Sequence, residues 1–157
     1  MSNKSGDASS RMNFLSQDST VTNITTLQQS YRAHELEVRG RASQFTDRFQ
    51  PTFDNFGISL RGETVFDVSA VEDSTMNEIA AALSEKNSSH VIVIRRTDGD
   101  DHLIAIHQSG SSVKLFDPNN GEFKLKKSEV ANAIRNVINA YSQRVPVPEL
   151  RLIKASA

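Results

Sequence analysis

His102-Leu-Ile-Ala-Ile-His107, Ser112-Val-Lys-Leu-Phe116 and Glu122-Phe-Lys-Leu-Lys126, the last two joined by Asp117-Pro-Asn-Asn-Gly121, decide how this chain folds. Each run is β-branched or alternates apolar with polar residues, and each is bounded by turn formers. The three therefore read as consecutive strands of an antiparallel meander. His90-Val-Ile-Val-Ile94 adds a strand upstream, and Asp98-Gly-Asp-Asp101 is the turn that follows it. If the hairpin turn is Ser109-Gly110, His102 pairs directly with Asp117. Opposed residues of paired strands point to one face, with Cβ atoms about 4.5 to 5.5 Å apart. An imidazole and a carboxylate are then in hydrogen-bonding reach at one end of a sheet, as a base and its orienting acid must be. A one-residue slip would send them to opposite faces.

Helical periodicity flanks this meander. Thr75 and Glu78 have the spacing of a capping box, and Met76, Ile79, Ala80 and Leu83 follow on one face, which predicts a helix over about 75–86. A second helix is expected from Ser128 as N-cap, with Val130, Ile134, Val137, Ile138 and Tyr141 as its buried stripe. After Pro146 and Pro148, Leu150-Arg-Leu-Ile153 reads as an edge strand. Upstream, Leu27, Tyr31 and Val38, with His34 between them, fit a short helix. Gln44–Phe66 holds five of the eight phenylalanines and Pro51, and reads as an irregular segment anchored by aromatic burial. Met1 to about Thr26 is rich in Ser, Asn, Thr, Asp and Gln without sustained apolar period, so it cannot bury enough surface to offset the entropy of ordering. The expectation is a disordered tail over 1–26 and a single α+β domain over 27–157, with a central antiparallel sheet of about four or five strands and flanking helices.

Composition narrows the function. The 157 residues carry 18 Lys+Arg against 19 Asp+Glu, a net charge of -1, and no basic stripe, which argues against nucleic acid or an anionic membrane as the main partner. No apolar run approaches the roughly 18–20 residues of a membrane span, and the N-terminus lacks the apolar h-region of a cleaved signal peptide. There is no cysteine, hence no disulfide, no thiolate metal site and no cysteine nucleophile in this sequence.

His102-Leu-Ile-Ala-Ile-His107, followed by Leu115-Phe-Asp-Pro-Asn119 and Gly121-Glu-Phe123, resembles the His and Asp blocks of the YopT/AvrPphB family of papain-like effector proteases. The resemblance spans roughly residues 88–142. It implies a papain-like fold, with His102 as general base and Asp117 as its orienting acid. The family's nucleophile lies in a Gly-x-Cys-x-Gly-like block upstream of the His. The nearest local likeness here is Phe56-Gly-Ile-Ser-Leu-Arg-Gly62, which would set Ser59 at the Cys position. A serine hydroxyl lacks the ready anion of a thiol, so such an exchange removes the nucleophile this chemistry uses. The polar N-terminus resembles the uncleaved secretion addresses of bacterial type III effectors.

The remaining histidines carry simpler readings. His107, five residues after His102, faces the other side of the strand by parity; His90 opens a strand and His34 rides a helix. His102, Asp101 and Asp100 are too close in sequence to converge on zinc, and Asp98-Gly-Asp-Asp101 does not continue into a calcium loop. No metal and no cofactor is expected. Three functions remain in view. The first is a secreted effector lacking its Cys nucleophile, which binds a target protein in the host or in bacteria. The second is an active thiol protease or glutamine deamidase whose Cys has been replaced, at Ser59. The third is a non-catalytic interaction module of a secretion system. A secretion chaperone is a further expected partner.

Overall fold

The computed structural model describes residues 44–157, so the expected tail over 1–26 and the helix at Leu27–Val38, with His34, lie outside the described residues. The chain divides into two compact units, Met1–Phe56 and Gly57–Ala157. This boundary falls inside the span 27–157 that the sequence reading treats as one.

The described part of the first unit is helix α1, Phe45–Asp54. Phe45 and Phe49, one turn apart, are both buried, with ring centroids 5.5 Å apart. The Arg48 guanidinium lies 4.6 Å from the centre of the Phe45 ring. Pro51 is tolerated inside this short helix at the loss of one intrahelical hydrogen bond.

The second unit is a six-stranded antiparallel sheet of order β1-β6-β2-β3-β4-β5, with two helices. Its strands are β1 (Ser59–Asp67), β2 (Ser89–Arg95), β3 (His102–Ser109), β4 (Ser112–Asp117), β5 (Gly121–Lys126) and β6 (Glu149–Ser156). Its helices are α2 (Asp73–Leu83) and α3 (Val130–Tyr141). The segment expected to be irregular is thus a helix and an edge strand. In β1 the strand signal is hidden by a bulge between Arg61 and Glu63, where Gly62 takes φ +63°, so the alternation of period two breaks. With β1 outside it, the C-terminal segment is β6 and runs through the interior of the sheet between β1 and β2; it is not the expected edge. Arg151 fixes this seam by bridging Glu63 of β1, at 2.5 Å, and Glu149 of its own strand.

One face of the sheet carries the core. Ile92 and Ile94 of β2, Ile104 and Ile106 of β3, Val113 and Leu115 of β4, and Leu150 and Leu152 of β6 pack with Met76, Ile79 and Leu83 of α2 and Val130, Ile134 and Ile138 of α3. All are nearly inaccessible to water. At about 1.5–3 kcal/mol for each buried aliphatic side chain, this layer is the main source of stability for the unit. The expected helix boundaries shift. α2 begins at Asp73, with Glu72 as N-cap and no side-chain cap, so Thr75 is inside the helix and does not cap it. Asp73 in the first turn complements the helix dipole and forms an ion pair with Arg135 of α3. Ser128 likewise is not the N-cap of α3: a 3-10 turn over Lys127–Glu129 precedes the helix, and the Glu129 carboxylate accepts from the Lys126 N–H at 2.7 Å. The acid reaches back to the backbone N–H at the start of the 3-10 turn, the role of the third-position acid in a capping box.

Candidate active site

The β3–β4 hairpin turns at Gly110-Ser111, because Ser109 pairs with Ser112 and Gln108 with Val113. The expected turn at Ser109-Gly110 is displaced by one residue. Gly110 has φ +58°, and a two-residue turn with positive φ at its first central position calls for glycine there. Two further contacts hold this register: Gln108 Nε2 donates to the Gly110 carbonyl at 2.6 Å, and its Oε1 accepts from the Asn87 N–H at 2.7 Å. Gln108 is fully buried. Moving the turn by one shifts each cross-strand partner by two, which preserves parity. Continued past Ala105↔Phe116, the register sets Asp117 opposite Ile104, so Asp117 and His102 are diagonal neighbours on the core face and not directly opposed. Their side chains close the gap, with His102 Nε2 2.9 Å from Asp117 Oδ1.

The turn after β4 prepares the carboxylate. Asp117-Pro-Asn-Asn120 is a β-turn closed by the Asn120 N–H donating to the Asp117 carbonyl at 3.1 Å, with Asp first and Pro second, as this turn favours. Gly121 follows at φ +97° and starts β5. The geometry that reverses the chain also aims donors at the Asp117 side chain. The Asn119 N–H reaches Oδ1 at 2.9 Å and Asn120 Nδ2 reaches Oδ2 at 2.8 Å. The side chain of Asp117 is 2% exposed. Burial pushes its carboxyl up, but the hydrogen bonds from Asn120, Asn119, His102 and Tyr141 outweigh that and hold it below the ordinary carboxylate range.

Tyr141, in the last turn of α3, completes the cluster. Its ring stacks on the His102 imidazole with centroids 4.4 Å apart and an interplanar angle of 26°. Its hydroxyl lies 2.7 Å from His102 Nε2 and 3.0 and 2.9 Å from the two Asp117 oxygens, and accepts from Asn119 Nδ2 at 3.1 Å. A carboxylate can only accept, so the tyrosine proton points to Asp117 and Nε2 carries the imidazole proton. Burial first, and then the bond to Asp117, push the Tyr141 hydroxyl up to about 12. Among the described residues no hydrogen bond is made by His102 Nδ1, and the side chain is 16% exposed. The arrangement can serve as an oriented base: Nε2 is tied to the carboxylate, and the lone pair of Nδ1 is left to take a proton.

Ser59 is not brought to this base. His102 aligns across the sheet with Ile94, Leu150 and Phe66, whereas Ser59 opens β1 at the other end of the strand. The separation is about 14 Å across three strand spacings and about 20 Å along the strand. Ser59 is exposed, with Ser156 as its pairing partner. His107 points to the other face and meets the Ser89 hydroxyl through Nδ1 at 2.8 Å. Asp101 is engaged by Arg95 at 3.3 Å and by the Arg96 N–H at 3.1 Å. Sequence reasoning read Tyr141 as core stripe and did not single out Asn119, Asn120 or Gln108. A signal was present for Tyr141, since a tyrosine ending a buried stripe needs a partner for its hydroxyl.

An α+β unit that presents an imidazole on a carboxylate at one end of an antiparallel sheet is of the papain-like class. Its backbone is similar to the crystal structure of the Pseudomonas avirulence protein AvrPphB, with a TM-score of 0.84 and 24% identity, over 98% of this chain and 85% of that one. The family model Peptidase_C58, described as Yersinia/Haemophilus virulence surface antigen, matches residues 1–153, and the chain belongs to that family. A YopT-like protein of Bradyrhizobium diazoefficiens is 30% identical over 149 residues, covering 88% of this chain and 54% of the relative. The cysteine protease avirulence protein AvrPphB of Pseudomonas savastanoi pv. phaseolicola is 33% identical over 64 residues, 41% of this chain and 24% of the relative. The chain thus spans about half the length of the first relative and about a quarter of the second.

Proposed function

We propose that this chain is an effector of the YopT/AvrPphB kind that retains the base and acid of a papain-like site but not its thiol, and that it acts by binding a target protein. The observation that carries this reading is the His102 and Asp117 pair, complete in its hydrogen bonds, in a sequence with no cysteine. In thiol acyl transfer the sulfur gives its proton to the imidazole and attacks the carbonyl as a thiolate. His102 is arranged to take such a proton on Nδ1, yet these 157 residues offer no thiol to release it. Ser59 is too far away to stand in. The chain alone therefore forms no acyl intermediate, and recognition of the target is the activity left to it. Delivery would follow its relatives' way of life, by a bacterial secretion system into a host cell, with residues 1–26 as address and a secretion chaperone as partner.

The test is to recover bound proteins from host cells expressing the wild-type chain or His102→Ala. We expect the same target from both, intact in mass. A target that is cleaved or deamidated by the wild type and spared by His102→Ala would overturn the binding reading in favour of a catalytic one.

A further inference from the structure

We propose that Tyr141 is the positioning residue of this site: it clamps the His102 imidazole to Asp117, holds the proton on Nε2, and thereby directs the Nδ1 lone pair outward. The inference rests on the reading of His102 and Asp117 as the functional pair, and assigns the third member that orients them.

Three independent contacts converge on this one side chain. The ring lies flat on the imidazole at 4.4 Å, which removes the ring's freedom to rotate about its Cβ–Cγ bond. The hydroxyl spans both Asp117 oxygens at 3.0 and 2.9 Å, which fixes the plane of the carboxylate. The same hydroxyl is 2.7 Å from Nε2, so the Nε2–H proton is shared between the phenolic oxygen and Oδ1. Neither acceptor is available to Nδ1, so flipping the tautomer would break both contacts at once. Asn119 closes the circuit: its N–H binds the carboxylate, and its Nδ2 donates to the phenolic oxygen at 3.1 Å. That donation uses an acceptor site of the oxygen and leaves its proton for Asp117. The hydrogen-bonding capacity of the tyrosine hydroxyl is thus taken up by this cluster.

The placement follows from the helix. Val130, Ile134 and Ile138 dock α3 on the sheet, and Tyr141, three residues beyond Ile138, continues their stripe to the end of the sheet where His102 begins β3 and Asp117 ends β4. Residues with only a packing role would not need a hydroxyl here. Phenylalanine would fill the same space.

The experiment measures the nitrogen shifts of the His102 imidazole and the exchange of its Nε2–H with water by NMR, in the wild-type chain and in Tyr141→Phe and Asp117→Asn. In the wild type the neutral ring is the Nε2–H tautomer and its proton exchanges slowly. Tyr141→Phe keeps the stack but loses the hydroxyl; we expect the tautomer ratio to fall and exchange to accelerate, each by about tenfold, the effect of one hydrogen bond to a charged group. If Tyr141→Phe matches the wild type while Asp117→Asn does not, Tyr141 is packing only and the proposal fails, with the pair intact. If Asp117→Asn matches the wild type as well, the pair itself is refuted. A second measurement needs no change at Tyr141: its hydroxyl, titrated through the ring carbon, should lose its proton more readily in Asp117→Asn. An unchanged titration would show that the hydroxyl does not bind the carboxylate and would overturn the proposal.

Discussion

His102 and Ser59 lie in the same sheet, and the contrast between their surroundings separates a built cluster from a local likeness. Around His102, side chains from β3, the β4–β5 turn and α3 converge, and the donors and acceptors of Asp117, Tyr141 and Asn119 are matched within a few ångströms. Around Ser59 there is an exposed edge strand whose one buried side chain is Leu60. A Gly-x-Ser pattern is fulfilled by three adjacent residues. A base and acid pair needs distant segments to agree on register, face and turn, and that agreement is what gives the His102 end its meaning.

The sharpest way to break this contrast is Asp117→Ala. It removes a buried acceptor from His102, Tyr141, Asn119 and Asn120 together, and we expect a loss of about 3 kcal/mol in urea unfolding, the cost of leaving several buried donors without an acceptor. A loss below about 0.5 kcal/mol would make this end of the sheet no more organised than the other. Gln108→Leu should cost somewhat less, about 2 kcal/mol, because it leaves the Asn87 N–H without its acceptor beneath the hairpin that sets the register. An unchanged midpoint would show that the hairpin holds its register without the amide. At the far end, Ser59→Ala should lie within about 0.5 kcal/mol of the wild type, the ordinary range for a surface change. A large effect there would contradict the account of Ser59 as an exposed edge residue.

Acid should sharpen the contrast in two stages. Burial first, and Lys154 next, hold the His90 imidazole below its ordinary value of 6.5, against the pull of Glu85. The unfolded chain therefore takes that proton first, so stability is full above about pH 6.5 and declines as pH falls beneath it. Asp117 is held below 3.8, so its contribution is present above that pH and is lost as pH falls through the lower native value. Urea midpoints across this range should show both declines; His90→Gln should remove the upper one and leave the lower.

The meander from β2 to β5 was legible because its strands are short alternating runs with turn formers between them, and because parity survives the one-residue misplacement of a turn. His102 and Asp117 could be paired on sequence for the same reason. What escaped is non-local. β1 carries a glycine bulge that erases its period, so the position of β6 inside the sheet could not be seen from Leu150–Ile153 alone. Tyr141 sits 24 residues from Asp117, and only the docking of α3 brings the two together. Boundary signals failed at α2 and α3 because Thr75 and Ser128 compete with acidic side chains, Asp73 and Glu129, that serve the helix ends by other means.

The most direct single measurement is the pair of imidazole nitrogen shifts of His102 in the neutral ring, compared between the wild-type chain and Asp117→Asn. We expect one protonated nitrogen, Nε2, and one bare nitrogen, Nδ1, in the wild type, and a mixture of the two tautomers once the carboxylate is replaced. Averaged shifts in both proteins would mean that Asp117 does not orient His102, and the proposed site would have no oriented base.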